Sequence, residues 1–203
     1  MNTVVFGAHP DDAEIGAGGV IKKITNLGYK VLLVIAIIPS NKEVRTKEAE
    51  AAAEVLGCDL KILDLGSEDL IRPRSLVGIL DKLIKSFNPD QIFTHWNKDS
   101  HQDHISLTNG VIAATRKNQC SVYMYEQTIP GGIVPSGFRS QVYVDISNEI
   151  DSKLESTLAH KSQVKNNKES WIDGIKGRAK YHGYQIGCDY AETFELIKQI
   201  KKI

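Results

Sequence analysis

Three carboxylates and one imidazole fall within the six residues His9-Pro10-Asp11-Asp12-Ala13-Glu14. Acidic groups this crowded repel one another unless a cation is shared, and one divalent ion would satisfy most of them at once. A second cluster, Asp99-Ser100-His101-Gln102-Asp103-His104, has two histidines spaced three apart near a helix start. That spacing lets both rings share one face and aim at one point. Neutral imidazoles with a single carboxylate suit zinc, and ferrous iron or another divalent transition metal is the alternative the same ligands hold. Neither cluster contains cysteine, so the pattern is that of a catalytic ion with a position open to water rather than of a structural one. Zinc lowers the pKa of its bound water to about 7, and a neighbouring carboxylate can then take the proton. The chemistry expected is metal-assisted hydrolysis.

Each cluster has a plainer explanation when taken alone. Asp11 and Asp12 could cap a helix, His9 could sit in a core or loop, and His101-x-x-His104 is ordinary surface sequence. Gly16-x-Gly18-Gly19 could be a nucleotide-binding turn, but phosphates there would face Asp11, Asp12 and Glu14. What joins the clusters is the order of elements around them.

Thr3-Val4-Val5-Phe6-Gly7-Ala8 reads as a buried strand ending at His9, and Val20, Ile21, Ile24 and Leu27 continue at helical spacing to a cap at Gly28. Tyr29 to Ile38 is a second strand, Glu43 to Leu56 an alanine-rich helix, and Leu60 to Leu65 a third strand. Leu76, Ile79, Leu80, Leu83, Ile84 and Phe87 form a helical stripe closed by Asn88-Pro89. Gln91 to Trp96 is a fourth strand, a helix runs through Arg116, and Ser121 to Glu126 is a fifth strand. Alternating strands and helices give an α/β fold: a Rossmann-like, doubly wound, mainly parallel sheet with helices on both faces. In the order 3-2-1-4-5 the first and fourth strands are neighbours where the winding reverses, and ligands bind in the crevice there. The two clusters follow those two strands.

After Gln127 the pattern changes. The segment 129–137 is a turn-rich loop, Gln141 to Ile146 a further strand, and Ser147 the N-cap of a long polar helix through Val164. A helix from Glu169 to about Gly183 and a short one over Tyr190 to Lys202 complete the expectation. The 203 residues suit one domain, a core over 1–126 with a C-terminal cap over 127–203.

Lysine plus arginine equals aspartate plus glutamate at 25 each, so no basic field recruits nucleic acid or an anionic membrane. The longest apolar run, Val31 to Ile38, is too short for a membrane span. Cys58, Cys120 and Cys188 are odd in number and scattered, as reduced thiols are, and no signal segment precedes the first strand. A cytoplasmic protein is expected.

The segment Phe6 to Gly19, with Asp99-Ser100-His101-Gln102-Asp103-His104, resembles the two motifs of the PIG-L/LmbE-like, zinc-dependent N-deacetylase family. Arg45-x-x-Glu48, Val144-Asp145-Ile146-Ser147, Lys153, His160-x-Ser162-Gln163 and Tyr190-Ala191-Glu192-x-Phe194 resemble its later landmarks. The resemblance implies that His9, Asp12 and His104 bind zinc, that Asp11 is the general base, and that His101 polarises the tetrahedral intermediate or gives it a proton. It implies substrate contact for Arg45, for which a solvated pair with Glu48 is the alternative. Asp103 would orient His101 or a ligand, or cap a helix; His160 would reach the pocket rim or pack. The implied reaction removes acetate from a small N-acetylated amino sugar of N-acetylglucosamine type, in a chain that forms homo-oligomers. The alternatives are an amidase for a bulkier acyl group and a silent sugar- or metal-binding protein. The connection from Ile38 to Arg45 is shorter than in many relatives, where a longer glycine-rich loop meets substrate.

Overall fold

Val4, Val5 and Phe6 are wholly shielded from solvent, as a central strand covered on both faces requires. They form the middle of β1 (Asn2–Gly7) in a computed structural model that describes residues 1–126, 132–133, 137–167 and 169–201. There follow α1 (Asp12–Asn26), β2 (Lys30–Ile35), α2 (Lys42–Leu56), β3 (Asp59–Ile62), the helical turn α3 (Ser67–Leu70), α4 (Pro73–Phe87), β4 (Gln91–His95), α5 (Gln102–Ala114) and β5 (Ser121–Tyr125). The remainder is β6 (Val142–Asp145), α6 (Ile150–Leu158), α7 (Lys161–Asn167), α8 (Glu169–Ile186) and β7 (Ala191–Lys198).

The strands lie in one sheet in the order β3-β2-β1-β4-β5-β7-β6. The first five are mutually parallel, with Thr3, Val4 and Val5 of β1 opposite Gln91, Ile92 and Phe93 of β4, so the expected 3-2-1-4-5 winding is present. Alternation along β1 divides the core. Val4 and Phe6 face Leu76 and Leu80 of α4 and Leu107 and Val111 of α5, while Val5 faces Ala17, Val20 and Ile21 of α1.

The glycines after the acidic cluster have a packing reason. A Cβ on Gly16 would lie 2.1 Å from the Tyr125 ring, and one on Gly19 would lie 2.6 Å from Ile146. They let β5 and the chain after β6 approach α1 closely, which is a different use from cradling phosphates.

Two expectations for the C-terminal part are corrected. Tyr190 to Lys202 holds no helix among the described residues; Ala191–Lys198 is β7, antiparallel to both β5 and β6. Its glutamates disguised it, because Glu192 and Glu195 are buried against partners rather than displayed on a solvent face. The single helix expected from Ser147 to Val164 is two, since the chain turns at His160 to send that ring inward. Ser147 does not cap it: its N–H and hydroxyl both donate to Asp145 Oδ1, and α6 starts at Ile150. Of the loop expected over 129–137, positions 129–131 and 134–136 lie outside the described residues. Among the described residues no helix is long and apolar enough to cross a membrane.

Candidate metal centre

The parallel neighbours β1 and β4 both end in the crevice where the winding reverses, and the turns that follow them supply the polar residues. Asp12 is the first residue of α1 and His104 lies in the first turn of α5. Their side chains are almost wholly buried, at 4% and 1% exposure. Asp12 Oδ2 lies 3.4 Å from His104 Nε2 and 3.5 Å from His9 Nδ1. Two donors about 2.0–2.1 Å from a tetrahedral zinc stand about 3.3–3.4 Å apart, so His9 and His104 each stand from Asp12 at about the separation of two ligands of one ion. Among the described residues the groups able to hold a metal are His9, His101 and His104, and Asp12, His95 and His104, each set offering atoms within 4.8 Å of one another.

The other ring nitrogens are engaged. His104 Nδ1 lies 2.8 Å from Asp99 Oδ2, and His9 Nε2 lies 3.0 Å from Asp103 Oδ2. A carboxylate on one nitrogen fixes the tautomer and turns the lone pair of the other towards the shared point. The Asp103 carboxylate therefore meets His9, while its backbone N–H meets His101. His101 is the N-cap of α5: its Nδ1 accepts the Asp103 N–H at 3.2 Å, so a neutral ring carries its proton on Nε2.

Two participants were absent from the sequence expectations. Asp99, in the second cluster but without a role there, holds His104 through Oδ2 and accepts the His101 N–H through Oδ1. His95, the last residue of β4, is fully buried, stacks on His104 with centroids 3.9 Å apart, and accepts the Ala8 N–H at 2.9 Å. The signal for His95 was its place, since the end of a switch-point strand points into the crevice; it was hidden inside the apolar run Gln91 to Trp96.

Electrostatics separate the two adjacent aspartates. Burial works to raise the Asp12 pKa, yet the charges of His104 and His95 hold it well below the usual carboxylate range. Asp11 is pushed up to about 7 by burial and by Asp12, with His160 and Arg45 opposing. Burial works against protonated His104, but Asp12 and Asp99 push its pKa up to about 10. His101 is lowered by burial and by His104. Asp11 has φ 98°, a left-handed conformation that costs a residue with a Cβ on the order of 1–3 kcal/mol. Its side chain makes no helix cap, so capping does not account for it.

Arg45 and Glu48 do not form a solvated pair. Both are buried; Glu48 accepts the N–H and hydroxyl of Ser162 at 2.7 Å each, and Arg45 Nη2 donates to Pro10 O at 2.9 Å. His160, fully buried, lies 3.0 Å from Glu14 Oε1.

Known proteins share this arrangement of elements. The chain is 27% identical over 217 residues to the diacetylchitobiose deacetylase of Thermococcus kodakarensis, covering 95% of this chain and 81% of that one. The conserved protein TT1542 of Thermus thermophilus superimposes with a TM-score of 0.86 at 23% identity, over 99% of this chain and 96% of that one. The 4-carboxy-2-hydroxymuconate hydratase GalB of Pseudomonas putida KT2440 superimposes with a TM-score of 0.82 at 19% identity, over 100% and 98%. The hydratase shows that the scaffold alone does not choose the reaction. The family profile described as PIG-L, GlcNAc-PI de-N-acetylase, matches residues 4–115, which span β1 through α5 and both polar clusters. The chain belongs to the PIG-L family.

Proposed function

We propose that the chain is a metal-dependent hydrolase that removes the N-acetyl group from an amino sugar of N-acetylglucosamine type. The observation that carries the reading is that His9 Nδ1 and His104 Nε2 each lie from Asp12 Oδ2 at about the edge length of a tetrahedral site, with Asp11 the preceding residue of the chain. The deacetylase named for diacetylchitobiose supports the acyl group and the sugar class.

His9, Asp12 and His104 would hold the ion, for which the mixed imidazole and carboxylate set favours zinc over calcium or magnesium. When bound, zinc polarises the amide carbonyl and supplies hydroxide near neutrality. Asp11 takes the proton of the attacking water as general base. His101 donates its Nε2–H to the oxygen that gains charge in the tetrahedral intermediate, and its lowered pKa keeps the ring neutral for that purpose. The amine leaves with a proton passed from Asp11, and acetate remains.

Metal content of the purified protein and of His104→Ala, read beside acetate release from N-acetylglucosamine and N,N′-diacetylchitobiose, tests the reading. About one zinc or iron per chain, lost in the variant together with acetate release, is the expected result. Metal retained without acetate release would transfer the reading to a bulkier acyl group. Absence of metal after zinc reconstitution would overturn it.

Asp99→Asn is expected to keep the fold and weaken zinc affinity by about 10–100-fold, because a neutral amide oxygen accepts the His104 Nδ1–H less strongly than a carboxylate and leaves the ring a weaker ligand. Competition with a chromogenic chelator measures this. Unchanged affinity would remove Asp99 from the centre.

A further inference from the structure

Both ring nitrogens of His182, on α8, face oxygens that can only accept. Nε2 lies 2.7 Å from Glu126 Oε2, and Nδ1 lies 2.9 Å from Gln185 Oε1, to which the Tyr143 hydroxyl also donates at 3.5 Å. A neutral imidazole has one N–H and one lone pair, so it would donate to one of these oxygens and turn its lone pair on the other. Only the doubly protonated ring satisfies both. The contact is shielded, with the His182 side chain 9% exposed and that of Glu126 24% exposed, unlike a solvated surface pair of little worth. It also joins distant parts of the fold. Glu126 directly follows β5, and α8 backs the start of α1, where Trp171 and Ile175 pack on Ile15 and Arg178 Nη2 donates to Ile15 O at 3.3 Å.

The other neighbours of the ring come from β7, β6 and α8 itself: Thr193 Oγ1 at 3.4 Å from Nε2, the Tyr143 ring at 6.2 Å and the Tyr181 ring at 5.5 Å. Among the described residues the charged groups around it are Glu126, Arg178, whose Nε is 4.0 Å from Glu126 Oε2, and the Lys153–Glu192 pair lining the same small cavity. Burial opposes charge on the ring, but the hydrogen bonds to Glu126 and Gln185 raise its pKa above the ordinary value against the repulsion of Arg178.

We propose that Glu126 and His182 form a pH-sensitive latch: the imidazolium fastens α8 to the end of β5, and loss of its proton unfastens it. The latch is independent of the reaction at the metal centre. A pKa raised on folding means that its stabilisation is fully present below the unfolded value of about 6.5 and is lost as pH rises through the folded one.

Two measurements on the zinc-loaded protein test the latch. The first is an NMR titration of the histidine rings, in which the signal missing from His182→Gln belongs to His182. Its midpoint should lie above about 6.5 and fall by about one pH unit in Glu126→Gln. A midpoint at or below that value, or one that Glu126→Gln leaves in place, would overturn the proposal. Should His182→Gln not fold, the signal is the one whose midpoint falls in Glu126→Gln, and the absence of any such fall overturns the proposal equally. The second is thermal unfolding of wild type, Glu126→Gln, His182→Gln and the double variant at about pH 6 and pH 9. The loss of midpoint caused by Glu126→Gln should shrink to less than about half on going to the higher pH, and in the His182→Gln background it should be the same at both. A side chain that only packs would give a loss independent of pH in both backgrounds, and that result would overturn the latch.

Discussion

Asp11→Asn is expected to lower kcat for acetate release by about 10²–10⁴-fold while the protein keeps its metal. The amide is nearly isosteric and stays within reach of Arg45, but it has no lone pair basic enough to take a proton from water. Asp11 is also the wrong residue to lose a ligand by, since Asp12 is the neighbour whose Oδ2 faces both imidazoles. Steady-state kinetics with elemental analysis separates the two aspartates: Asp12→Asn should lose metal and activity together, Asp11→Asn activity alone. Loss of metal in Asp11→Asn, or turnover within tenfold of wild type, would refute the assignment of the base.

Lys153→Met should destabilise the fold by about 3–5 kcal/mol, measured by denaturant unfolding, because it leaves a buried charge without its partner. Lys153 is 2% exposed and donates to Glu192 and to the carbonyls of Glu14 and Ile15. Glu192 in turn accepts the N–H groups of Gly19 and Val20. This ion pair is inserted among the hydrogen-bonding groups of α1, the helix that begins with Asp12. The methionine fills much of the lysine's volume, so the loss reads the charge and the carbonyls rather than a cavity. Glu192→Gln in the same chain should recover part of it, and a Lys153→Met protein as stable as wild type would show that the pair contributes nothing net.

The five parallel strands and the switch point were legible because strand and helix periods alternate cleanly through residue 126, and both polar clusters are local in sequence. The errors came where burial broke the link between polarity and exposure. β7 carries Glu192 and Glu195 in its buried stretch, and each is satisfied by a partner far away in sequence, Lys153 for the one and Arg139 and Trp96 for the other. Nothing in the local pattern of Ala191–Lys198 reveals those partners, so the spacing of Ala191, Phe194 and Ile197 mimics a helix face. The break between α6 and α7 has the same origin: His160 pairs with Glu14. In the centre itself the sequence showed which residue types converge but not their division of labour. That Asp103 meets His9 while Asp99 meets His104 depends on how α5 is rotated over the end of β4, and Arg45 depends on how α2 packs beneath the His9–Asp12 turn.

The place of β7 also bears on which strand edges the sheet leaves open. β5 is buried along its whole length and rich in aromatic and apolar residues, Ser-Val-Tyr-Met-Tyr, and at the rim of a sheet its backbone would be a ready template for another chain. β7 covers that rim, and the sheet ends instead in β6, four residues long, and at the opposite side in β3, also four residues and carrying Asp59 and Lys61. Short, charge-bearing margins offer too few free hydrogen-bonding groups to seed strand addition. The strand that delivers Glu192 to the helix beginning at Asp12 is therefore also what keeps the most adhesive strand of the sheet out of reach.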